Sequence, residues 1–155
     1  ETNFADPDVL FVTNTYRKVR CERLRMMQFV RFQKTADGTY FAMIEPDYDV
    51  LPLIVPHFSD RFSEECWLIY DRCRRYGYYH AGHKSVRVTF EDGAEVFRLP
   101  DGRLSEAMRD EDEMWYQEMW RTYFKAICIK ERMNPRKHRQ DMPVRYWKYL
   151  TEKQK

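Results

Sequence analysis

Apolar and polar positions recur along this chain with two different periods, and the switches between them divide it into elements. From Thr13 or Asn14 to about Gln28, the residues Tyr16, Val19, Arg23 and Met26 or Met27 follow helical spacing, and either polar residue can cap the start. FVRFQK and TYFAMIE read as strands, and the intervening TADG predicts a hairpin because Gly38 accepts the positive φ of a tight turn. PDYDVLPLIVPHFSDRF carries an apolar stripe of Leu51, Ile54, Val55 and Phe58. Asp47 and Asp49 suit the start of that helix, Pro52 its first turn, and Pro56 predicts a kink or an early end.

CWLIYD, YGYYHAG and SVRVTF predict three further strands around a basic turn, RCRRYG. EDGAEVFRLPDGRL holds two Asp-Gly turns. DEDEMWYQEMWRTYFKAICIKERM then gives the clearest helix, with Tyr116, Trp120, Tyr123, Phe124, Ile127 and Cys128 on its buried stripe. Asn134-Pro135 ends it, and short helices follow near Arg136 to Gln140 and after Pro143. The expectation is an α+β fold: an antiparallel sheet of about four to five strands, flanked by an N-terminal helix and a C-terminal helical layer. Residues 1–155 form a single domain, with an acidic, linker-like start over 1–12 that reads as the junction to a preceding segment of a longer protein.

Composition narrows the class without naming a reaction. With 155 residues, 43% hydrophobic and 16% aromatic, the chain can bury a core without metal or disulfides. No run approaches the roughly eighteen apolar residues of a membrane helix, and no signal peptide opens the chain, so the expectation is a cytoplasmic protein with no membrane partner. Cys21, Cys66, Cys73 and Cys128 have no paired spacing and read as reduced thiols. His80 and His83 stand three apart beside a turn, but no third ligand is evident, so no metal is assigned. No Gly-rich phosphate loop, G-x-S-x-G elbow or HExxH helix is present, and no cofactor is expected.

Charge changes the picture more. From Arg121 to Lys155 there are eleven Lys or Arg against three acids, and from Arg17 to Lys34 seven against Glu22 alone, in a chain whose net charge is only +2. Two basic blocks interleaved with aromatics suit a phosphate backbone and exposed bases. The candidates for nucleic-acid contact are Arg17, Lys18, Arg20, Arg25 and Arg31 in the first block, and Arg132, Arg136, Lys137, Arg139, Arg145, Trp147 and Lys148 in the second. A carboxylate and imidazole set for acid-base work is conceivable in Glu45, Asp47, His57 and Asp71, although EPDYD also suits a turn into a helix start.

RFQ…YFAMIEPDYDVLPLIVPHFSDRF, WLIYDRCRRYGYYH and WRTYFKAICIKERMNPRKHRQDMPVRYWKYLTE together resemble a bacterial family whose members are labelled DNA metabolism or DNA repair proteins. The resemblance runs from about Tyr16 to Glu152, and the closing NPR…RQ…MP.RYWKYL pattern is its most specific part. It implies the C-terminal core of a longer protein, a radical-SAM protein as neighbour and partner, and in some relatives a fused uracil-DNA glycosylase-like domain. It carries no catalytic residue over to this chain. Three expectations follow: a DNA-binding accessory of a repair or modification pathway, an enzyme acting on DNA bases, or a scaffold that docks the radical-SAM partner.

Overall fold

The computed structural model describes residues 6–89, 113, 117–119, 121, 122 and 134–154. Helix α1 (Pro7–Phe29) leads to the two-residue strand β1 (Gln33–Lys34) and to β2 (Tyr40–Ile44). Helix α2 (Leu51–Arg61) connects β2 to β3 (Trp67–Asp71), and β4 (Tyr76–Ala81) and β5 (Lys84–Thr89) complete the sheet. Helix α3 (Pro135–Asp141) precedes 3-10 turns at Val144–Tyr149 and Thr151–Lys153. The fold is α+β, with a mostly antiparallel five-stranded sheet in the order β1-β2-β3-β4-β5.

One ladder departs from the antiparallel expectation. β2 and β3 run parallel, with Tyr40 opposite Trp67 and Ile44 opposite Asp71. The cause is α2: a helix between neighbouring strands carries the chain back to the end from which it left, which forces parallel pairing.

α1 begins at Pro7, ahead of Thr13, because Asp6 caps it by accepting the Asp8 N–H at 2.9 Å and Pro7 fits its first turn. Residues 7–12 are therefore helical rather than linker-like. Its buried positions are Glu22, Met26 and Phe29, spaced i, i+4, i+7, with Val19 and Met27 packed against the same core as expected, whereas Tyr16 and Arg23 are exposed. α1 also takes Phe29 from FVRFQK, which leaves only Gln33 and Lys34 for the sheet. The TADG hairpin forms as expected, with Gly38 at φ 85° and the Thr35 N–H donating to the Thr39 carbonyl at 2.8 Å.

Pro56 neither ends nor shortens α2, which continues to Arg61. Pro52 and Pro56 both face solvent, where the carbonyl that Pro56 leaves without a donor can take water, while Leu51, Ile54, Val55 and Phe58 hold the opposite face in the core. That core also takes Met26 and Phe29 of α1, Ala42 and Ile44 of β2, Trp67 and Ile69 of β3, and Tyr146 and Leu150 from the C-terminal segment. Phe41, Met43 and Leu68 alternate onto the other face of the sheet, against Tyr149.

The long helix expected over 110–133 is described only at Glu113, Gln117–Met119, Arg121 and Thr122, which are helical. Tyr116, Trp120, Tyr123, Phe124, Ile127, Cys128 and Arg132 lie outside the described residues, as do both Asp-Gly turns between β5 and Glu113. Cys21, Cys66 and Cys73 are free thiols. Among the described residues no helix is long and apolar enough to cross a membrane.

Candidate functional site

The parallel pair gives the sheet a defined carboxyl end, the position where open sheets with helical crossovers gather polar chemistry. Glu45 follows the last residue of β2, Asp71 is the last residue of β3, and Asp47 and Asp49 lie in the loop between β2 and α2. Three of the four acid-base candidates thus come together there. His57 does not join them: it sits on α2, half-buried, with its ring edge-on to Phe58 at 5.1 Å.

Each of these carboxylates is already engaged. Asp71, 0% exposed, accepts the N–H groups of Cys73 at 2.9 Å and Arg74 at 3.1 Å and pairs with the Arg74 guanidinium at 3.0 Å. Burial pushes its carboxyl above the ordinary value, and the bonds from Arg74 and Cys73 only partly offset it. Arg74 reaches on to the carbonyls of Pro46 at 3.1 Å and Asp47 at 2.7 Å, which pins the loop to the end of β3. Asp49 accepts the Tyr76 hydroxyl, so neither Asp47 nor Asp49 caps α2, whose N-cap is Val50.

Glu22 holds the same loop from the other side. Only 3% exposed, it accepts the N–H of Asp47 at 2.9 Å and of Tyr48 at 2.7 Å, the Arg145 guanidinium at 3.0 Å and the Tyr146 hydroxyl at 2.9 Å. Arg145 also pairs with Asp47, and its guanidinium lies 4.5 Å over the Tyr146 ring. Three residues on, Lys148 pairs with Glu45 and the Tyr149 hydroxyl donates to the same carboxylate at 2.7 Å. Burial alone would raise Glu45, but Lys148 and Tyr149 together hold it below the ordinary value. The RYWKY segment is therefore stitched at alternate pairs of residues to α1 and to the carboxyl end of β2.

These contacts sort the nucleic-acid candidates into two groups. Arg145 and Lys148 sit in the network, and Arg31 forks onto Glu152 at 2.8 and 3.3 Å. Trp147 is half-buried, donates its indole N–H to the Met142 carbonyl at 2.9 Å and lies between His138 and Lys153. Arg17, Lys18 and Arg20 on α1 and Arg136, Lys137 and Arg139 on α3 are exposed and engage no ion pair or side-chain hydrogen bond among the described residues. Arg25 is half-buried on α1, and α3 is fixed at its start by Asn134, whose side chain accepts the Lys137 N–H at 3.0 Å.

His80 and His83 do not converge. His80 is buried, stacked on Trp67 at 4.9 Å, with Nδ1 2.8 Å from the Ser85 hydroxyl and Nε2 3.2 Å from the Ser63 carbonyl. His83 lies in the exposed β4–β5 turn at φ 65°, 3.6 Å from Glu64. Among the described residues no group of three or more His, Cys, Asp or Glu is arranged to hold a metal.

With this geometry in place, one comparison decides the family: the model of a domain of unknown function, DUF4130, matches residues 1–152. The chain belongs to the DUF4130 family. No curated protein and no solved structure matches it. The DUF4130 match spans both the Glu22–Arg145 network and the exposed cations of α1 and α3. The organising residues that residue patterns missed in this DUF4130 chain are Glu22, Arg74 and Tyr76. Glu22 carried one signal, being a lone acid in a basic run and four residues before the buried Met26.

Proposed function

We propose that this chain binds DNA through the exposed cations of α1 and α3, as an accessory of a repair or modification pathway. The observation that supports this reading is the set of six cations, Arg17, Lys18, Arg20, Arg136, Lys137 and Arg139, with no internal partner among the described residues. Unpaired positive charge on two helices repels itself, and a polyanion relieves that repulsion by releasing its own counterions. The resemblance to a DNA-metabolism family and its radical-SAM neighbour belong to the same reading, with the neighbour as the source of chemistry and this chain as the DNA-contacting component. The carboxylates Glu45, Asp47 and Asp71 are held by cations, tyrosines and backbone N–H groups, so they act in this reading as structural ties.

A salt titration tests it. Six phosphate contacts give a slope of about −5 in the logarithm of duplex affinity against the logarithm of salt concentration. Replacing Arg136, Lys137 and Arg139 together with Ala is expected to shallow that slope by about 3, equally for all sequences. A triple variant with the parent's slope, or a parent with no salt dependence, removes the DNA reading and leaves protein docking.

A further inference from the structure

Trp67, His80 and Ser85 stand in one row across β3, β4 and β5, as register partners whose side chains share a face of the sheet. Helix α2 packs on that face and adds Ser59, and Ser63 follows just past the helix end. His80 is 1% exposed, and its ring lies parallel to the Trp67 indole at 4.9 Å and 7°. Its Nε2 is 3.2 Å from the Ser63 carbonyl oxygen, which can only accept, so in the neutral ring Nε2 carries the proton. Nδ1 is then a bare acceptor, and the Ser85 hydroxyl, 2.8 Å away, donates to it. Ser59 Oγ lies 2.8 Å from Ser85 Oγ but 3.5 Å from Nδ1, so the Ser59 hydroxyl donates to Ser85.

The result is one directed chain of hydrogen bonds, from Ser59 to Ser85 to His80 to the Ser63 carbonyl. One partner at each ring nitrogen would be enough to hold a buried histidine. The row adds three things that a structural tie does not need: a hydroxyl whose proton is aimed at an unprotonated nitrogen, a base locked in plane by Trp67 and in tautomer by Ser63, and a second hydroxyl aimed at the oxygen where negative charge would develop. Such a set is recognised by geometry and not by order along the chain. The stacked indole face also favours the positive charge that the imidazole takes up with a proton. Ser85 is half-buried on β5, the last strand of the sheet among the described residues, and keeps part of its surface in solvent, which admits a small reagent.

We propose that Ser85 is an acyl-accepting nucleophile, activated by His80 as general base, that acts on a small carboxylic ester. Ser85 Oγ bonds to the acyl carbon as its proton passes to His80 Nδ1. The acyl C–O bond then breaks, and the leaving oxygen takes that proton. Water attacks the acylated Ser85, gives a proton to Nδ1 and releases the acid, and the proton returns to Ser85 Oγ. This activity is independent of DNA binding by α1 and α3.

The test treats the full chain with a small fluorophosphonate, which marks an activated serine by forming an O–P bond and expelling fluoride, and locates the mark by peptide mass spectrometry. Turnover of p-nitrophenyl acetate is followed in parallel. Ser85 is expected to carry the mark, and Ser85→Ala to lose both the mark and the turnover. Ser59→Ala is expected to slow marking about threefold to tenfold. His80→Ala is expected to slow it by roughly 10²–10⁴-fold, and added imidazole, which fits the space left beside Trp67, to restore part of the rate. Thermal melting checks that each variant folds, and if His80→Ala does not, the site of marking and the Ser59→Ala rate decide alone. A mark on lysines or on other serines with Ser85 untouched overturns the proposal. So does a folded His80→Ala that is marked as fast as the parent, or a Ser85→Ala that keeps the parent's turnover. An unmarked Ser85 whose replacement only lowers the melting midpoint makes the row a structural tie, and the proposal fails.

Discussion

Glu22 shows how much one side chain carries. Replacing it with Ala would leave the Tyr146 hydroxyl and the N–H groups of Asp47 and Tyr48 without their acceptor and the Arg145 guanidinium with Asp47 alone. Breaking a buried pair from one side is costly, so Glu22→Ala is expected to lose about 3 kcal/mol in urea denaturation. Arg145→Ala leaves the buried Glu22 carboxylate its three uncharged donors, with water able to enter where the 41% exposed side chain lay, and should lose about 1 kcal/mol. Equal losses for the two variants would show that burial of the acid does not set the scale. Gly77 in β4 makes a steric point of the same size: a Cβ there would lie 2.7 Å from the Ile69 carbonyl oxygen on β3. Because that neighbour is backbone and cannot turn aside, Gly77→Ala is expected to cost about 1–3 kcal/mol, read as a lowered denaturation midpoint.

At the scale of elements, what the sequence made legible was whatever apolar positions decide alone. The α2 stripe of Leu51, Ile54, Val55 and Phe58 is buried as its spacing predicted, and the Gly38 hairpin closed as its turn chemistry required. The face of α1 is legible at Val19, Met26 and Met27 but not at Glu22, because apolar periodicity cannot flag a buried glutamate whose donors lie elsewhere. Strand direction was missed for a related reason: WLIYD looks the same read either way, and only the helix before it fixes the parallel pairing. In the candidate site, Glu45, Asp47 and Asp71 read as a group from the sequence, but the cations that pair with Glu45 and Asp47 read as contacts to an outside partner. Arg145 and Lys148 lie about a hundred residues away in sequence and pair with those acids in space. Pro56 offers an element-level test. Pro56→Ala restores a donor to the helix while returning freedom to the unfolded chain, and the net expectation is a gain of about 1 kcal/mol. A midpoint that falls would show the exposed carbonyl to be fully served by water.

At the scale of the molecule, three tyrosines among the described residues donate to three carboxylates: Tyr76 to Asp49, Tyr146 to Glu22 and Tyr149 to Glu45. Burial first, and then the neighbouring carboxylate, pushes each phenol above its ordinary value of 10.0. The folded state therefore holds these protons more tightly than the unfolded chain. Their stabilisation is fully present below about pH 10 and is lost as pH rises toward the raised folded values. Denaturation midpoints measured from pH 8 to 12, with phenolate absorbance recorded alongside, should fall through that window, and less steeply in Tyr149→Phe. At the acid end, Glu45 is lowered below 4.5, so its contribution is present above that value and fades as pH falls further. Asp71 is raised by burial and has the opposite sign, favouring the fold more as it protonates. The joining of Glu22 to Tyr146 also has a consequence for synthesis. A ribosome adding about 5–20 residues per second delivers Glu22 on the order of ten seconds before the residues that neutralise and cover it. Until then nascent α1 carries an acid on the stripe it will bury, which keeps that stripe wettable and defers its docking until the segment with Arg145 and Tyr146 emerges.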